Sequence, residues 1–399
     1  SLFIAEKVKE KLPDIKIIAG GPEVTIDSRY VLDNPAIDIG CFGEAEFTFV
    51  EVMRHVLMRK KDMEGIRGIF YKKRNEVIVT PARTFVKNLN ALPSPYLLGI
   101  INPGDYDMAW IETKRGCHYS CTYCGDNLRP LRLFPLDRIR KEIRLIVSKG
   151  VYNIKLLDSS FLTTPYFKEI CESIKNLNAK KNLFISAELR AEDLNEKTAA
   201  LLKDCGLRTV ELGLQSCSPV VLKNINRPTN LKKFIDGIRV LKKNRIQFFI
   251  DLIIGLPGET LKSFRETVGF LKENKLIPHL SVFQLAILPG TKLKREKNKY
   301  GIEHQEKPPY LVTRTNPLSK SDIKKCFEIL SKAKSKNNTV LKPYLLSSLL
   351  TSHLKIDYQS PKDSDKKHLS RINIEPMDFP VTKIILELDR NTQNPDHLD

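Results

Sequence analysis

The sequence predicts an α/β fold, a parallel sheet with helices outside it, on three observations. From Ala109 onward, six short apolar runs alternate with segments of helical periodicity. Several of these runs end in glycine- or proline-bearing turns, as at Gly255-Leu256-Pro257-Gly258 and Leu288-Pro289-Gly290. Nearer the N-terminus, an apolar run leads directly into Gly20-Gly21-Pro22, where an open α/β sheet places the turns that let a ligand approach its backbone.

Taken in order, residues 3–12 carry apolar positions at helical spacing (Ile4, Val8, Leu12), and Pro13-Asp14 stops that helix before a buried strand over 15–19. A second short strand, 37–41, runs into Gly43-Glu44, with a helix from about residue 45. A hairpin is expected from 68–71 and 77–79 around the polar turn Lys73-Arg74-Asn75. Leu92-Pro93-Ser94-Pro95 reads as a stiff linker, with a domain boundary near 95–103. The six-strand series then runs 109–113, 153–158, 183–187, 209–213, 246–254 and 280–287. Helices are expected at 135–149, 165–177, 194–204, 219–243 and 260–274. Beyond it come Pro308-Pro309-Tyr310, a helix over 319–334, and a polar tail with one apolar island, 381–386, read as an edge strand; residues 391–399 are expected to be disordered. The division is therefore 1–64 (Rossmann-like), 65–103 (hairpin and linker), 104–300 (core) and 301–399 (helical extension and tail). Because the chain opens at Ser1 inside a helical pattern, its first domain is expected to be incomplete.

The chemistry is concentrated in Cys117-His118-Tyr119-Ser120-Cys121-Thr122-Tyr123-Cys124. A structural zinc site would want a second Cys or His pair downstream to close a tetrahedron, and none follows. Three thiols on one loop suit an iron-sulfur cube whose fourth iron lacks a protein ligand and is open to a reactant.

This spacing, with an aromatic before the last cysteine, resembles the signature of the radical S-adenosylmethionine (radical SAM) superfamily. The Gly20-Gly21-Pro22 and Gly43-Glu44 turns resemble those of the cobalamin-binding domain that precedes the core in its B12-type members. The resemblance implies a partial (βα)6 radical SAM barrel, preceded by part of a Rossmann-like cobalamin-binding domain. It implies a 4Fe-4S cluster on Cys117, Cys121 and Cys124, and SAM contacts from Tyr123, Asp158, Glu188, Arg190, Gln215, Ser216, Ile253 and Gly255. It further implies cobalamin contacts from Gly20, Gly21, Gly43 and Glu44. The implied reaction is cleavage of SAM to a 5′-deoxyadenosyl radical, followed by cobalamin-dependent methyl transfer to an unactivated carbon or phosphorus of a small molecule or peptide. Cyclisation or rearrangement is the alternative within the same branch. A tRNA methylthiotransferase would bring a second cysteine trio and an RNA-binding barrel, which are not visible, and a non-catalytic iron-sulfur sensor is the reading from outside enzymes. An electron donor such as flavodoxin or ferredoxin is the implied partner.

The net charge of +19 raises the question of nucleic acid. The lysines are dispersed along helix faces and tails and are not gathered into arginine-rich, aromatic-interleaved blocks, which argues against it. The other five cysteines, Cys41, Cys171, Cys205, Cys217 and Cys326, are scattered among apolar or helical positions and read as reduced core residues. No apolar run reaches the ~20 residues of a membrane span. A reducing, low-oxygen cytoplasm is the expected compartment.

Overall fold

The computed structural model describes residues 2–58, 62–74, 76–178, 182–335, 354–358, 369–376 and 384–389. The chain divides into two units, one of residues 1–17, 34–38 and 342–399, the other of 18–33 and 39–341.

In the first unit, helix α1 (Leu2–Lys11) precedes a segment organised by Asp38. Its carboxylate accepts the Ile17 amide at 2.9 Å and pairs with Lys9 at 2.9 Å and Lys16 at 3.1 Å. Burial alone would raise the Asp38 pKa, but these donors hold it below its ordinary value. The same unit contains a three-stranded antiparallel sheet, Leu354–Tyr358, Leu369–Pro376 and Ile384–Asp389, in that order. The apolar island expected at 381–386 thus contributes an edge strand that begins at Ile384. Residues 391–399 lie outside the described residues.

In the second unit, strands β1 (Ile18–Ala19), β2 (Ile39–Cys41), β3 (Ile69–Lys73) and β4 (Glu76–Val79) form one sheet in that order. The first pair is parallel and the other two are antiparallel. Helix α2 (Glu46–Leu57) links β2 to β3 and sends Val52 into a small core with Ile39, Cys41, Ile66, Ile69 and Tyr71. Strands β1 and β2 are shorter than their apolar runs. Just before them, the Ile17 amide goes to the Asp38 side chain and the Asp38 amide to the Ile17 carbonyl at 3.0 Å, which ends the regular ladder.

The larger sheet has six parallel strands in chain order: β5 (Ala109–Ile111), β6 (Asn153–Leu156), β7 (Phe184–Leu189), β8 (Leu207–Gln215), β9 (Gln247–Ile254) and β10 (Leu280–Gln284). It is open between β5 and β10, a partial barrel. Alternate residues such as Ile154, Leu156, Ile185, Val210, Leu212, Ile250 and Leu252 are buried in the main core. Their neighbours Trp110, Lys155, Glu188, Glu211, Phe249 and Asp251 stand on the opposite, inner face.

The helices follow the strands: α3 (Leu136–Ser148), α4 (Phe167–Leu177), α5 (Glu196–Asp204), α6 (Pro219–Asn224), α7 (Leu231–Lys243) and α8 (Leu261–Glu273). The helix expected over 219–243 is therefore two. Pro228 cannot donate to a helical ladder, and Asn230 caps the second helix by accepting the Lys233 amide at 3.0 Å. The interruption places Asn226 and Arg227 at the mouth of the sheet. Two further helices follow the sixth strand, α9 (Lys292–Arg295) and α10 (Lys320–Ser335), the second close to the expected 319–334. Among the described residues no helix is long and apolar enough to cross a membrane.

Candidate functional site

The site is built at the C-terminal ends of the parallel strands, where loops from several strands converge. After β5 the chain is tied to the end of β6 by Asp158. That carboxylate accepts the Thr113 amide at 2.9 Å, the Thr113 hydroxyl, and the Lys114 amide at 3.3 Å. The Lys114 ammonium is itself buried, donating to the Ser160 carbonyl and the Thr163 hydroxyl, both at 2.6 Å. Burial presses its pKa down while Asp158 supports the charge.

Gly116 then makes the turn into the cysteine loop. Its φ is +81°, and a Cβ there would lie 2.5 Å from the Pro130 carbonyl oxygen and 2.6 Å from that of Arg129. Both the backbone conformation and the space require glycine at this position.

Two other segments of the barrel hold the loop. The Thr122 amide donates to the Ile225 carbonyl at 3.0 Å, and the Leu293 amide to the Thr122 carbonyl at 2.8 Å. Asn226 donates to the Ser120 carbonyl at 3.1 Å and to its hydroxyl at 2.6 Å. Arg227 Nη1 lies 3.5 Å from Cys121 Sγ, and the Asp126 amide donates to Cys124 Sγ at 3.4 Å. The Asp126 amide favours the Cys124 thiolate. Burial, by contrast, pushes the Cys124 thiol up to about 11.

The three cysteines line one cavity with Tyr119, Tyr123, Ser159, Glu188, Arg190, Glu211, Gln215, Arg227 and Asp251. Arg190 lies over the Tyr119 ring, 4.3 Å from its centre, and pairs with Glu192 at 2.8 Å, while the Tyr119 hydroxyl donates to Asp193 at 2.8 Å. Glu188 and Glu211 are register partners on adjacent strands, and Asp251 pairs in register with Gly213. Burial first, and then the neighbouring Glu211, raise Glu188 to about 7; burial, Glu211 and Glu188 raise Asp251 to about 7. Lys155 faces Glu211 at 3.5 Å.

Several buried polar atoms of the cavity residues have no partner: Gln215 Oε1, Arg190 Nε and Arg227 Nε. Unpaired buried groups of this kind are costly, and a polar ligand would satisfy them. Among the described residues no three His, Cys, Asp or Glu side chains converge on a single metal ion. An iron-sulfur cube asks for a different arrangement, one thiolate on each of three irons, and the shared cavity of Cys117, Cys121 and Cys124 offers that donor set.

Of the residues expected at SAM, the structure brings Tyr123, Glu188, Arg190 and Gln215 together with the cysteines. Four others are placed differently. The Asp158 carboxylate is buried and occupied by Thr113 and Lys114, and Ser159 takes its place at the cavity wall. Ser216 is buried and accepts the Ser218 amide at 3.2 Å, starting the turn into α6. Ile253 packs against the main core. Gly255, with φ +91°, donates its amide to Glu259 at 2.8 Å, a role within the strand-to-helix turn. Arg227, Asp251, Glu211, Tyr119 and Ser159 were not anticipated. Two of them carry a sequence signal: Asp251 is a lone carboxylate on the inner face of an apolar strand, and Arg227 precedes the proline that breaks a helix.

At the smaller sheet, Gly20, Gly21 (φ +99°) and Gly43 (φ +80°) are exposed where β1 and β2 end. Glu44 is turned elsewhere. Its carboxylate receives Arg132 through two contacts, at 2.5 and 2.8 Å, and lies 3.8 Å from Arg115, which also pairs with Glu46 at 2.5 Å and Glu112 at 3.2 Å. Burial works to raise the Glu44 pKa, but the guanidinium of Arg132, then Arg115 and Arg129, hold it low.

The sequence profile of the Radical SAM superfamily matches residues 111–271, the span from β5 to α8. Residues 111–271 therefore carry a radical SAM domain. It is 29% identical over 352 residues to the cobalamin-dependent radical SAM methyltransferase TokK of Streptomyces tokunonensis, covering 82% of this chain and 50% of that one. It is 25% identical to the 2-(S-pantetheinyl)-carbapenam-3-carboxylate methyltransferase of Streptantibioticus cattleyicolor, covering 88% and 56%. The chain therefore spans about half the length of these curated relatives. Its fold resembles that of the cobalamin-dependent SAM radical enzyme OxsB, solved with aqua-cobalamin and S-adenosylmethionine bound. The TM-score there is 0.61 at 19% identity, over 84% of this chain and 56% of that one.

Proposed function

We propose that this chain belongs to an enzyme that binds a 4Fe-4S cluster through Cys117, Cys121 and Cys124 and cleaves SAM reductively in the adjoining cavity. The enzyme then directs a cobalamin-dependent methyl transfer to an unactivated carbon or phosphorus of a small molecule or peptide. The single observation that carries the reading is the cavity itself: three cysteines share it with a buried arginine, paired inner-face acids and unsatisfied polar atoms. When bound, the cluster supplies one electron that breaks the sulfonium C–S bond of SAM, and cobalamin supplies a methyl carrier.

The residues divide the work by charge. Arg227, buried and facing the cavity, is placed to receive the SAM carboxylate, for which a planar guanidinium is suited. Glu188 and Asp251 are placed to receive its cationic groups, and Tyr123 offers a ring face. Gly20, Gly21 and Gly43 leave open the backbone at which a corrin would approach, and Glu44 serves the arginine clasp described above. The methyltransferase names of the similar proteins support the choice of methyl transfer over rearrangement. The test is anaerobic reconstitution followed by dithionite and SAM. The expected products are methionine and 5′-deoxyadenosine, with S-adenosylhomocysteine appearing when cobalamin is loaded; absence of 5′-deoxyadenosine would refute the proposal.

A pH dependence follows from the acids. With Glu188 and Asp251 raised to about 7 in the folded protein, they hold protons that the unfolded chain has already lost. Their contribution to stability therefore declines as pH rises from the ordinary carboxylate range to about 7. Binding runs the other way, because the ammonium and sulfonium of SAM favour the ionised acids. SAM affinity is expected to rise by about tenfold between roughly pH 6 and 8, and Glu188→Gln with Asp251→Asn should flatten the profile in isothermal titration.

A further inference from the structure

The proposed chemistry consumes one electron per SAM cleaved, and the chain must receive it from outside. We propose that a small acidic electron-carrier protein docks on the surface formed by residues 288–299 and Leu128, directly beside the cysteine loop. This proposal rests on the reading of the site given above.

Position comes first. Leu293 is fully buried and its amide donates to the carbonyl of Thr122, which lies between the second and third cysteines. Gly290 lies beside Leu128, four residues past Cys124, since a Cβ there would lie 3.4 Å from Leu128 Cδ1. The segment therefore touches the cysteine loop at Thr122 and the turn that follows it at Leu128, and a carrier seated on it would stand next to the proposed cluster.

Charge is the second argument. Residues 292–299 include Lys292, Lys294, Arg295, Lys297 and Lys299 against one acid, Glu296. Lys294 is turned to the Asp27 carbonyl at 3.1 Å, and Lys297 to His304 at 3.3 Å. Lys292, Arg295 and Lys299 are exposed. Glu296 offsets only part of this charge, at 3.6 Å from Lys292, and the nearby Asp126 is occupied by Arg129 at 2.6 Å.

The third argument is the apolar centre. Leu128 and Leu288 are 39% and 43% exposed, beside the turn from which the cations project. An apolar centre with a charged rim is the anatomy of a transient protein interface, and the sign of the rim selects an acidic partner. In the step itself the carrier is oxidised by one electron and the cluster reduced by one.

The experiment compares reduction of the reconstituted protein by flavodoxin hydroquinone and by dithionite, in stopped flow, for wild type and Lys292→Glu/Arg295→Glu/Lys299→Glu. The flavodoxin rate is expected to fall roughly tenfold or more at low ionic strength in the variant. The wild-type rate should drop with added salt, while the dithionite rate stays the same in both proteins. The charge-conserving Lys292→Arg/Lys299→Arg variant should keep the wild-type flavodoxin rate. Equal flavodoxin rates in wild type and the triple variant would overturn the proposal. So would loss of cobalamin retention without a change in the flavodoxin rate, which would assign these cations to the corrin. A wild-type protein in which dithionite produces no reduced cluster would overturn the reading of the site itself, and the docking surface with it.

Discussion

Replacing Cys121 by alanine is expected to leave a folded protein that retains no 4Fe-4S cluster after anaerobic reconstitution and forms 5′-deoxyadenosine only at background. Cys121 is buried in the cavity wall with Arg227 Nη1 at 3.5 Å, so on the proposed reading the substitution removes a cluster ligand and little packing. Cys117→Ala and Cys124→Ala should behave alike. Cys205→Ala is the contrast. That thiol is buried in the main core, donates to the Leu202 carbonyl at 3.1 Å, and lies outside the cavity. Its loss should leave iron content and the visible absorption of the cluster unchanged. Iron and sulfide analysis of the four variants reads the difference directly.

The second large effect is expected at Glu44, and it is one of stability. Arg132 and Glu44 have side chains only 8% and 6% exposed, and Arg115 is 14% exposed beside them. Glu44→Ala leaves two buried guanidinium groups without their shared carboxylate. Breaking a buried pair from one side costs about 3–5 kcal/mol, because the remaining charge stays desolvated. Urea denaturation should show the midpoint falling accordingly, with Glu44→Gln between wild type and alanine. The sign of the pH dependence is also set. Glu44 has a lowered pKa in the folded protein, so its contribution is present above the ordinary carboxylate range and is lost as pH falls through the folded value. Arg115 directly precedes Gly116 and Cys117. A broken clasp is therefore expected to lower cluster occupancy as well, which the iron content of the Glu44 variants would report.

The strands of the barrel were legible because each buries alternate residues against helices, a pattern that needs no knowledge of the partner strand. The cysteine loop was legible for a related reason: its chemistry lies in spacing along the chain. The direction of a lone polar side chain is different, because it is decided by whatever the fold brings opposite. Glu44 meets Arg132, 88 residues further on, and Asp158 meets the Thr113 amide 45 residues before it. No local pattern carries either encounter. The same reasoning explains Arg227, which enters the cavity because Pro228 and the Asn230 cap split an apparently continuous helical pattern. Asp251 is hidden for the opposite reason, since β9 reads as an apolar strand and its inner face becomes a cavity floor only when β8 and β7 place Glu211 and Glu188 alongside.

The central claim is that the cavity brings SAM onto the cluster held by Cys117, Cys121 and Cys124. Electron paramagnetic resonance of the dithionite-reduced, reconstituted protein, recorded without and with SAM, tests it most directly. The account predicts a reduced 4Fe-4S signal whose g-values shift when SAM is added, and whose shift is lost in Arg227→Ala. A reduced-cluster spectrum that is the same with and without saturating SAM would contradict it.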